Sequence, residues 1–503
     1  MKATLPKKLN ITIIQQLSSS DTARYDAQES LLVLLPERSL EGRWPSLPYR
    51  DLFKRRFAKL DSPKAGTRLF ECFLPNRRDT HTLLAIPAAD ATPFEQLTLA
   101  RKLVAPLLTN RPGSIAIDLG ALTQKLVEQT AEALVAALLS AAAEMPDYRK
   151  EAKSSPLKRI ELIGLKQRID LKPCQAEAEG NQLARWLTAL PPNSLTPKSY
   201  LSLARTLARR EGWQLKFHNS KALEKMGADA FLAVAKAGPT GAGIVQLSYQ
   251  PPKARSKEKQ RLGLVGKGIC FDSGGLNIKP ARHMYGMHHD MAGSAVALGT
   301  LLALSRLKVD YPVDCWLALA ENHINEHAYR QGDVITALNG ETIEIVHTDA
   351  EGRMVLADTL TLASRNNPAL LIDYATLTGS CSYALGNRYS GAFSNRNTLN
   401  EQAQHAGAIS GERVWPFPND SDFDEALESE IADTKQCTLE GEADHILAAR
   451  FLQRFLDGEC DWLHLDLSSA TNKGGLAHIP TEITGFGVRF TLELLNQVKF
   501  PTS

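Results

Sequence analysis

The sequence predicts an α/β protein built as two domains. Three observations carry that expectation. Short apolar runs rich in Val, Ile and Leu alternate along the chain with longer Ala/Leu-rich segments of helical period. A length of 503 residues exceeds what one ordinary core accommodates. The polar stretch MPDYRKEAKSSPLKR (145–159), with proline near both ends, reads as a surface loop or a domain margin. The expected division is 1–165 and 166–503.

In the first region ITIIQQL, SLLVLLP, LFECFLP, HTLLAIP and IELIGL have strand character. Residues 122–145 form a helix by apolar period and Ala/Leu content. In the second region residues 176–190 look helical and stop at Pro191-Pro192-Asn193. Thr196-Pro197 opens another helix, with a capping hydroxyl followed by proline in the first turn. LKFHN, FLAVAKAG, GIVQLSYQ, RLGLVG, VDCWLALA and LLIDYATL then read as strands. Asn339-Gly340 marks a hairpin within DVITALNGETIEIV. The basic interval PPKARSKEKQR (251–261) reads as a solvated hairpin loop, since no aromatic residue interleaves its charges.

Composition excludes several classes. Charged residues are 23% of the chain and the net charge is +2, which gives no overall field for nucleic acid. The small basic clusters Lys7-Lys8, Lys54-Arg55-Arg56 and Arg77-Arg78 read as solvated faces. The seven cysteines are scattered without a CxxC pair, which fits a reducing compartment and argues against a cysteine-based zinc site. The N-terminus has only a short apolar core, so no secretory signal is expected. The longest apolar stretch, 131–145, carries Glu132 and Glu144 and reads as a packed helix rather than a membrane span. The expected location is cytoplasmic.

Chemistry concentrates between residues 266 and 380. GKGICFDSGGLNIKP (266–280) runs from an apolar strand through Lys267 and Asp272 to a Gly-Gly pair and Lys279. MHHDMAGSAVALG (287–299) places Asp290 before a helix of small residues. HTDAEGRMVLADTL (347–360) sets Asp349 and Glu351 two apart, on one side if the segment is extended, with Arg353 opening a helix. Taken singly, each acid fits a cap or turn. Together, four carboxylates brought to the carboxyl ends of strands would repel unless cations neutralised them. Oxygen-rich sets of this kind suit hard or borderline divalent metals, and four acids suffice for two ions if some are shared. Paired ions serve amide and phosphate hydrolysis alike.

Two histidine patterns are decoys. His323-Ile324-Asn325-Glu326-His327 matches H-x-x-E-H, but it follows a strand and reaches Gly332-Asp333 too soon for the helix that motif needs. His288 and His289 are adjacent, and neighbours on a helix diverge.

These segments, with ATLTGSC (375–381), resemble the leucine aminopeptidases, exopeptidases that use two metal ions and carry an NTDAEGR signature. LPPNSLTP (190–197), AENHINEHAYRQGD (320–333), HLDL (464–467) and TGFGVR (484–489) agree more weakly, and the resemblance covers roughly residues 175–490. It implies a smaller, variable N-terminal α/β domain with an oligomer or accessory role. The larger C-terminal catalytic domain would have a central mixed sheet flanked by helices.

The same resemblance implies roles residue by residue. Lys267, Asp272, Asp290, Asp349 and Glu351 would be the metal ligands, with Asp272 and Glu351 bridging. Lys267 and Asp290 would complete the tighter site and Asp349 the more exchangeable one. Lys279 and Arg353 fall at the two catalytic positions, Arg353 holding a bicarbonate ion as general base. Met287, Thr376 and Leu377 would line the substrate site. The cofactors would be two divalent ions per chain, manganese or zinc, with magnesium or cobalt as other candidates. A hydroxide bridging the ions would attack the peptide carbonyl, and Lys279 would stabilise the oxyanion. A free α-amine on one metal would anchor the substrate, which explains exopeptidase action. Expected partners are short peptides with a free N-terminus and other copies in a homohexamer, with no membrane and no nucleic acid.

The chain departs from the family pattern at several points. His347 replaces Asn of the signature, Met354 replaces Leu, and His288-His289 replace Lys-Tyr before Asp290. HINEH replaces a Pro/Gly-containing loop, and Ser468 stands where a small apolar residue is usual. These bear on side-chain preference, metal affinity and pH optimum rather than reaction class. The competing readings are a DNA-binding accessory protein on the same fold and a two-metal hydrolase of another substrate class, such as a phosphoesterase.

Overall fold

The computed structural model describes residues 3–17, 20–151, 155–251 and 260–500. The chain divides into two compact units. One comprises Lys7–Ala178 with Lys473–Glu482, the other Met1–Pro6, Glu179–Asn472 and Ile483–Ser503.

The smaller unit is a six-stranded sheet. Its order across the sheet is Thr12–Gln15, Arg159–Ile163, Ser114–Asp118, Ser30–Leu34, His81–Ile86 and Thr67–Phe73. All neighbours are parallel except the last pair, so Thr67–Phe73 is an antiparallel edge. The five runs expected from the sequence all lie in these strands. Ser114–Asp118 is the sixth, and SIAID is too short to stand out as a run. One face is covered by the helices Pro93–Leu107 and Gln124–Ala142, packed through Leu103, Val104, Leu134 and Leu138. Tyr25, Phe53 and Trp44 fill the other.

The larger unit carries a mixed eight-stranded sheet. The order is Val414–Pro416, Ser390–Ser394, Asp461–Asp466, Leu370–Ala375, Leu262–Asp272, Val313–Asn322, Gly243–Tyr249 and Gln214–Asn219. The four central strands, Asp461–Asp466 through Val313–Asn322, are mutually parallel. They are buried on both faces and therefore carry apolar residues on both, with a few buried polar ones such as Lys267, Asp373 and His464 among them. The helices Ala292–Leu307 and Glu351–Ser364 pack on this sheet. Gly266 and Gly293 let the first of them lie close. A Cβ on Gly293 would stand 2.0 Å from the carbonyl oxygen of Tyr374, and one on Gly266 would stand 2.3 Å from Cα of Ser294.

Several local expectations hold. Thr196 caps the helix Pro197–Glu211 reciprocally with Ser199. Lys172–Ala189 is helical. Val334–Thr336 and Thr342–Glu344 form the Asn339-Gly340 hairpin, with Gly340 at φ 97°, and Thr434–Lys435 adds a third strand to it. All seven cysteines are free. No helix among the described residues is long and apolar enough to cross a membrane.

Three expectations fail. FLAVAKAG is not a strand: Asp229–Ala235 is a helix, and Asp358 Oδ2 accepts a hydrogen bond from Phe231 N at 2.8 Å near its start. A short apolar run does not distinguish a buried helix from a buried strand. The interval 251–261 closes no hairpin, because Gly243–Tyr249 and Leu262–Asp272 each pair with Val313–Asn322, which lies between them. Within that interval residues 252–259 lie outside the described residues, as do 152–154 of the polar stretch at 145–159. His288 and His289 do not diverge. They sit in a tight 3-10 turn, Met287–His289, with ring centroids 4.0 Å apart in an edge-on contact.

Candidate metal centre and active site

The carboxyl ends of the parallel strands bring the acids together. Asp272 ends its strand, and Asn322 ends the neighbouring one after a register shift between Ala320 and Asn322. That irregularity sets Asn322 opposite Asp272, and Asn322 Nδ2 donates to Asp272 Oδ1 at 2.9 Å and to Thr348 O at 3.0 Å. Gly274, at φ 87°, lets its own N–H turn back onto Asp272 Oδ1 at 2.8 Å. Asp290 precedes the helix Ala292–Leu307 but caps nothing; its Oδ1 accepts from Thr376 Oγ1 at 2.7 Å. Glu351 is the first residue of the helix Glu351–Ser364. Asp349 and Glu351 therefore straddle a helix start rather than an extended segment.

Asp272, Asp290 and Glu351 are buried, and one oxygen from each lies within 4.8 Å of the other two. Two lysines thread this cluster. Lys267 Nζ lies 2.9 Å from Asp290 Oδ2, 2.9 Å from Glu351 Oε1, and donates to Thr376 O at 2.9 Å. Lys279 Nζ lies 2.8 Å from Asp272 Oδ2 and 2.6 Å from Asp349 Oδ1. Asp349 thus joins the cluster through Lys279 rather than through the three central acids.

The charges are held far from their ordinary balance. Burial pulls the Lys267 ammonium toward neutrality, but Asp290, Glu351 and Asp272 outweigh it and hold its pKa above the usual range. Lys279 is likewise depressed by burial and raised on balance by Asp272, Glu351 and Asp349. Burial, with Asp272 and Glu351 adding repulsion, lifts Asp349 to about 7. Asp290 is driven up by burial and by the same neighbouring acids, against the pull of Lys267.

The donor set fits divalent cations. Three buried carboxylates crowd one point, and Glu351 Oε2 is buried without a hydrogen-bond partner. Asp290 Oδ2 and Asp349 Oδ1 are met only by lysine ammonium groups, at 2.9 and 2.6 Å. Unsatisfied buried carboxylate oxygens are costly unless a cation serves them. Bicarbonate on Arg353 fits less well. Nη2 donates to both carboxylate oxygens of Asp444, at 2.8 and 2.9 Å, and Nη1 to Gln436 O at 2.9 Å. A forked anion would need Nη2 beside Nε, and Nη2 is taken.

Thr376 and Leu377 follow the strand Leu370–Ala375, half-buried, and Leu377 N donates to Asp466 Oδ1 at 3.1 Å. Met287 is half-buried on the turn before Asp290. Among residues the sequence did not single out, Asn322, Thr348, Asp444 and Asp466 hold these groups in place. Thr348 donates to Gly274 O at 2.7 Å, and Asp466 accepts Thr378 Oγ1 at 2.6 Å. Only their place in the weaker motifs could have flagged Asn322 and Asp466. The H-x-x-E-H run is not helical: His323 Nε2 lies 2.6 Å from Glu321 Oε2, and His327 is exposed. Ser468 turns its hydroxyl to Tyr389 O at 2.7 Å.

Comparison with known proteins places this arrangement. The catalytic-domain profile of the cytosol aminopeptidase family matches residues 182–492. The chain belongs to the cytosol aminopeptidase family. A probable cytosol aminopeptidase from Prochlorococcus marinus (strain AS9601) is 41% identical over 361 residues, covering 70% of this chain and 72% of that one. One from Roseiflexus castenholzii is 36% identical over 407 residues, 78% and 82% of the two chains. Among solved structures, the bottromycin maturation enzyme BotP in complex with Mn superposes with a TM-score of 0.82 at 31% identity, covering 94% of this chain and 100% of that one. A mutant of tomato leucine aminopeptidase gives 0.83 at 27% identity, covering 98% of each. This cytosol aminopeptidase family member is a hydrolase acting on peptides, with the two-domain α/β architecture of its relatives.

Proposed function

We propose that the protein removes N-terminal residues from short peptides, using two divalent cations held by Lys267, Asp272, Asp290, Asp349 and Glu351. One observation carries this reading: three buried carboxylates within 4.8 Å of one another, one with a partnerless oxygen, interleaved by the buried Lys267 and the half-buried Lys279. Asp272 and Glu351 would be shared between the ions, Lys267 and Asp290 completing one position and Asp349 the other. When bound, the ions supply Lewis acidity toward the scissile carbonyl and acidify the attacking water. Manganese is the first candidate because a structural relative was solved with it.

The chain's own groups do the rest. Lys279 keeps its proton because Asp272 and Asp349 flank it, and that charge stabilises the oxyanion that develops on the carbonyl. Lys267 must ligate as the neutral amine, so ion binding displaces its proton. Thr376, tied to Asp290 and Lys267, and Leu377, tied to Asp466, form the wall against which the substrate lies, with Met287 facing the first side chain. The N-terminal unit would serve assembly into a homohexamer, in the cytoplasm.

The test is an activity panel. Manganese- or zinc-loaded protein should release N-terminal residues from amino-acid anilides and short peptides, lose that activity to a chelator, and spare N-acetylated peptides. Lys279→Ala and Glu351→Ala should each lose at least about 100-fold in kcat. No release from a broad panel by metal-loaded protein sinks the proposal.

A further inference from the structure

Arg353 lies two residues beyond Glu351 on the same helix, its side chain 3% exposed. A buried guanidinium is built to hold a planar anion. Here the anion comes from the chain itself, through the paired Asp444 oxygens on Nη2. Bicarbonate presents the same planar, charged oxygens, so the two are alternatives for one position.

The surrounding chain is shaped to deliver this carboxylate. Asp444 opens the helix Asp444–Gln453, and the residue before it, Ala443, is left-handed at φ 50°. An alanine there is strained, and such strain persists only where the surroundings impose it. The next residue, His445, is pinned to Ser380: its N–H donates to Ser380 Oγ at 2.8 Å, and that hydroxyl lies 3.0 Å from its Nδ1. Ser380 is on the helix Gly379–Leu385, immediately after Thr376-Leu377-Thr378. Asp444 is therefore fixed from the substrate wall on one side and from Arg353 on the other. Its side chain remains 22% exposed, so the carboxylate is not sealed in. Arg353 holds this carboxylate from the first turn of the helix that begins at Glu351, a member of the acid cluster.

We propose that Asp444 is the resident base of this site, taking on Arg353 the place a bicarbonate ion would fill and accepting the proton of the attacking water. This rests on the aminopeptidase reading. One O–H bond of the water breaks and its proton passes to the Asp444 carboxylate, while the oxygen bonds to the carbonyl carbon and the C=O π pair moves onto the carbonyl oxygen beside Lys279, to return as the C–N bond breaks. When the C–N bond breaks, its electron pair goes to nitrogen, which takes the proton back from Asp444. Arg353 stays charged throughout, and the carboxylate is regenerated.

The experiment compares metal-loaded wild type, Asp444→Asn and Asp444→Ala in bicarbonate-free buffer and with added bicarbonate. Binding of 13C-bicarbonate to the zinc-loaded proteins is followed by NMR. Wild type should turn over at the same rate with and without bicarbonate and bind none. Both variants should lose about 100-fold or more in kcat with KM little changed. Asp444→Ala should bind bicarbonate and recover about tenfold or more with it, whereas Asp444→Asn, whose amide still covers Nη2, should not. Asp444→Asn keeps the side-chain shape, so it serves as the test if the alanine variant fails to fold. Wild type stimulated by bicarbonate, or either folded variant with wild-type kcat, overturns this proposal alone. Metal-loaded wild type that releases nothing overturns the aminopeptidase reading and this proposal with it.

Discussion

Lys267 lies across the backbone of Gly352, so close that a Cβ there would stand 2.6 Å from both its Cε and its Nζ. The glycine between Glu351 and Arg353 is thus a seat for the lysine. Gly352→Ala should push the amine away from Asp290 and Glu351. The clash falls on the far end of a side chain, so the fold should lose only about 1–3 kcal/mol. Metal content per chain should drop and activity should fall at least about tenfold. A folded Gly352→Ala protein with full metal content and wild-type activity would show that the glycine does not seat the lysine.

Gly293 makes the opposite case. There a Cβ would meet backbone, the carbonyl oxygen of Tyr374 at 2.0 Å. Neither partner can rotate away, so the helix Ala292–Leu307 must lift from the sheet. Gly293→Ala should cost about 3 kcal/mol or more, at the upper end for overpacking. Comparison of denaturant midpoints for the two glycine variants checks the ranking; equal midpoints contradict it.

Loading the ions should release protons. Lys267 is held above its ordinary pKa, and burial raises Asp349 to about 7 and Asp290 upward as well. All three must be deprotonated to ligate. Metal affinity should therefore rise with pH through neutrality. Titration calorimetry at pH 7 in two buffers of different ionisation enthalpy should show net proton release, smaller for Lys267→Met. Identical heats in both buffers would mean that no proton leaves.

A buried pair on adjacent strands sets part of the stability's pH dependence. Asp373 and His464, opposite each other in register, have Oδ1 and Nδ1 2.6 Å apart, and Asp373 Oδ2 accepts Trp462 Nε1 at 2.7 Å. Burial pulls the His464 pKa down, but attraction to Asp373 outweighs it and the net shift is upward. A histidine raised on folding stabilises fully below its unfolded value of about 6.5, and that contribution is lost as pH rises through the folded value. Asp373→Asn removes the attraction and leaves burial, so the sign reverses and stability should rise from pH 5 to 7. The variant should also lose about 3–5 kcal/mol from the broken pair. Chemical denaturation of both proteins from pH 5 to 9 reads the two slopes; parallel curves would show that His464 does not titrate as described.

The sequence made the strands and the acids legible for different reasons. The central strands are built on apolar runs. Asp272, Lys279, Asp349 and Glu351 stand out because they crowd charge and glycine into short segments directly after such runs. What pairs with what was not legible. That Lys267 would join Asp290 to Glu351, and Lys279 join Asp272 to Asp349, follows from sheet order and from the irregularity at Ala320–Asn322. FLAVAKAG misled because a seven-residue helix shows too little of its period. Asp444 was invisible for another reason. An acid in the first turn of a helix is ordinary, and only the folded chain shows it lying on Arg353.

The acids and lysines of the cluster arrive from separate strand ends and helix starts, so the complete set converges only once the sheet has ordered. Full occupancy should therefore come late in maturation, after the chain has found its fold.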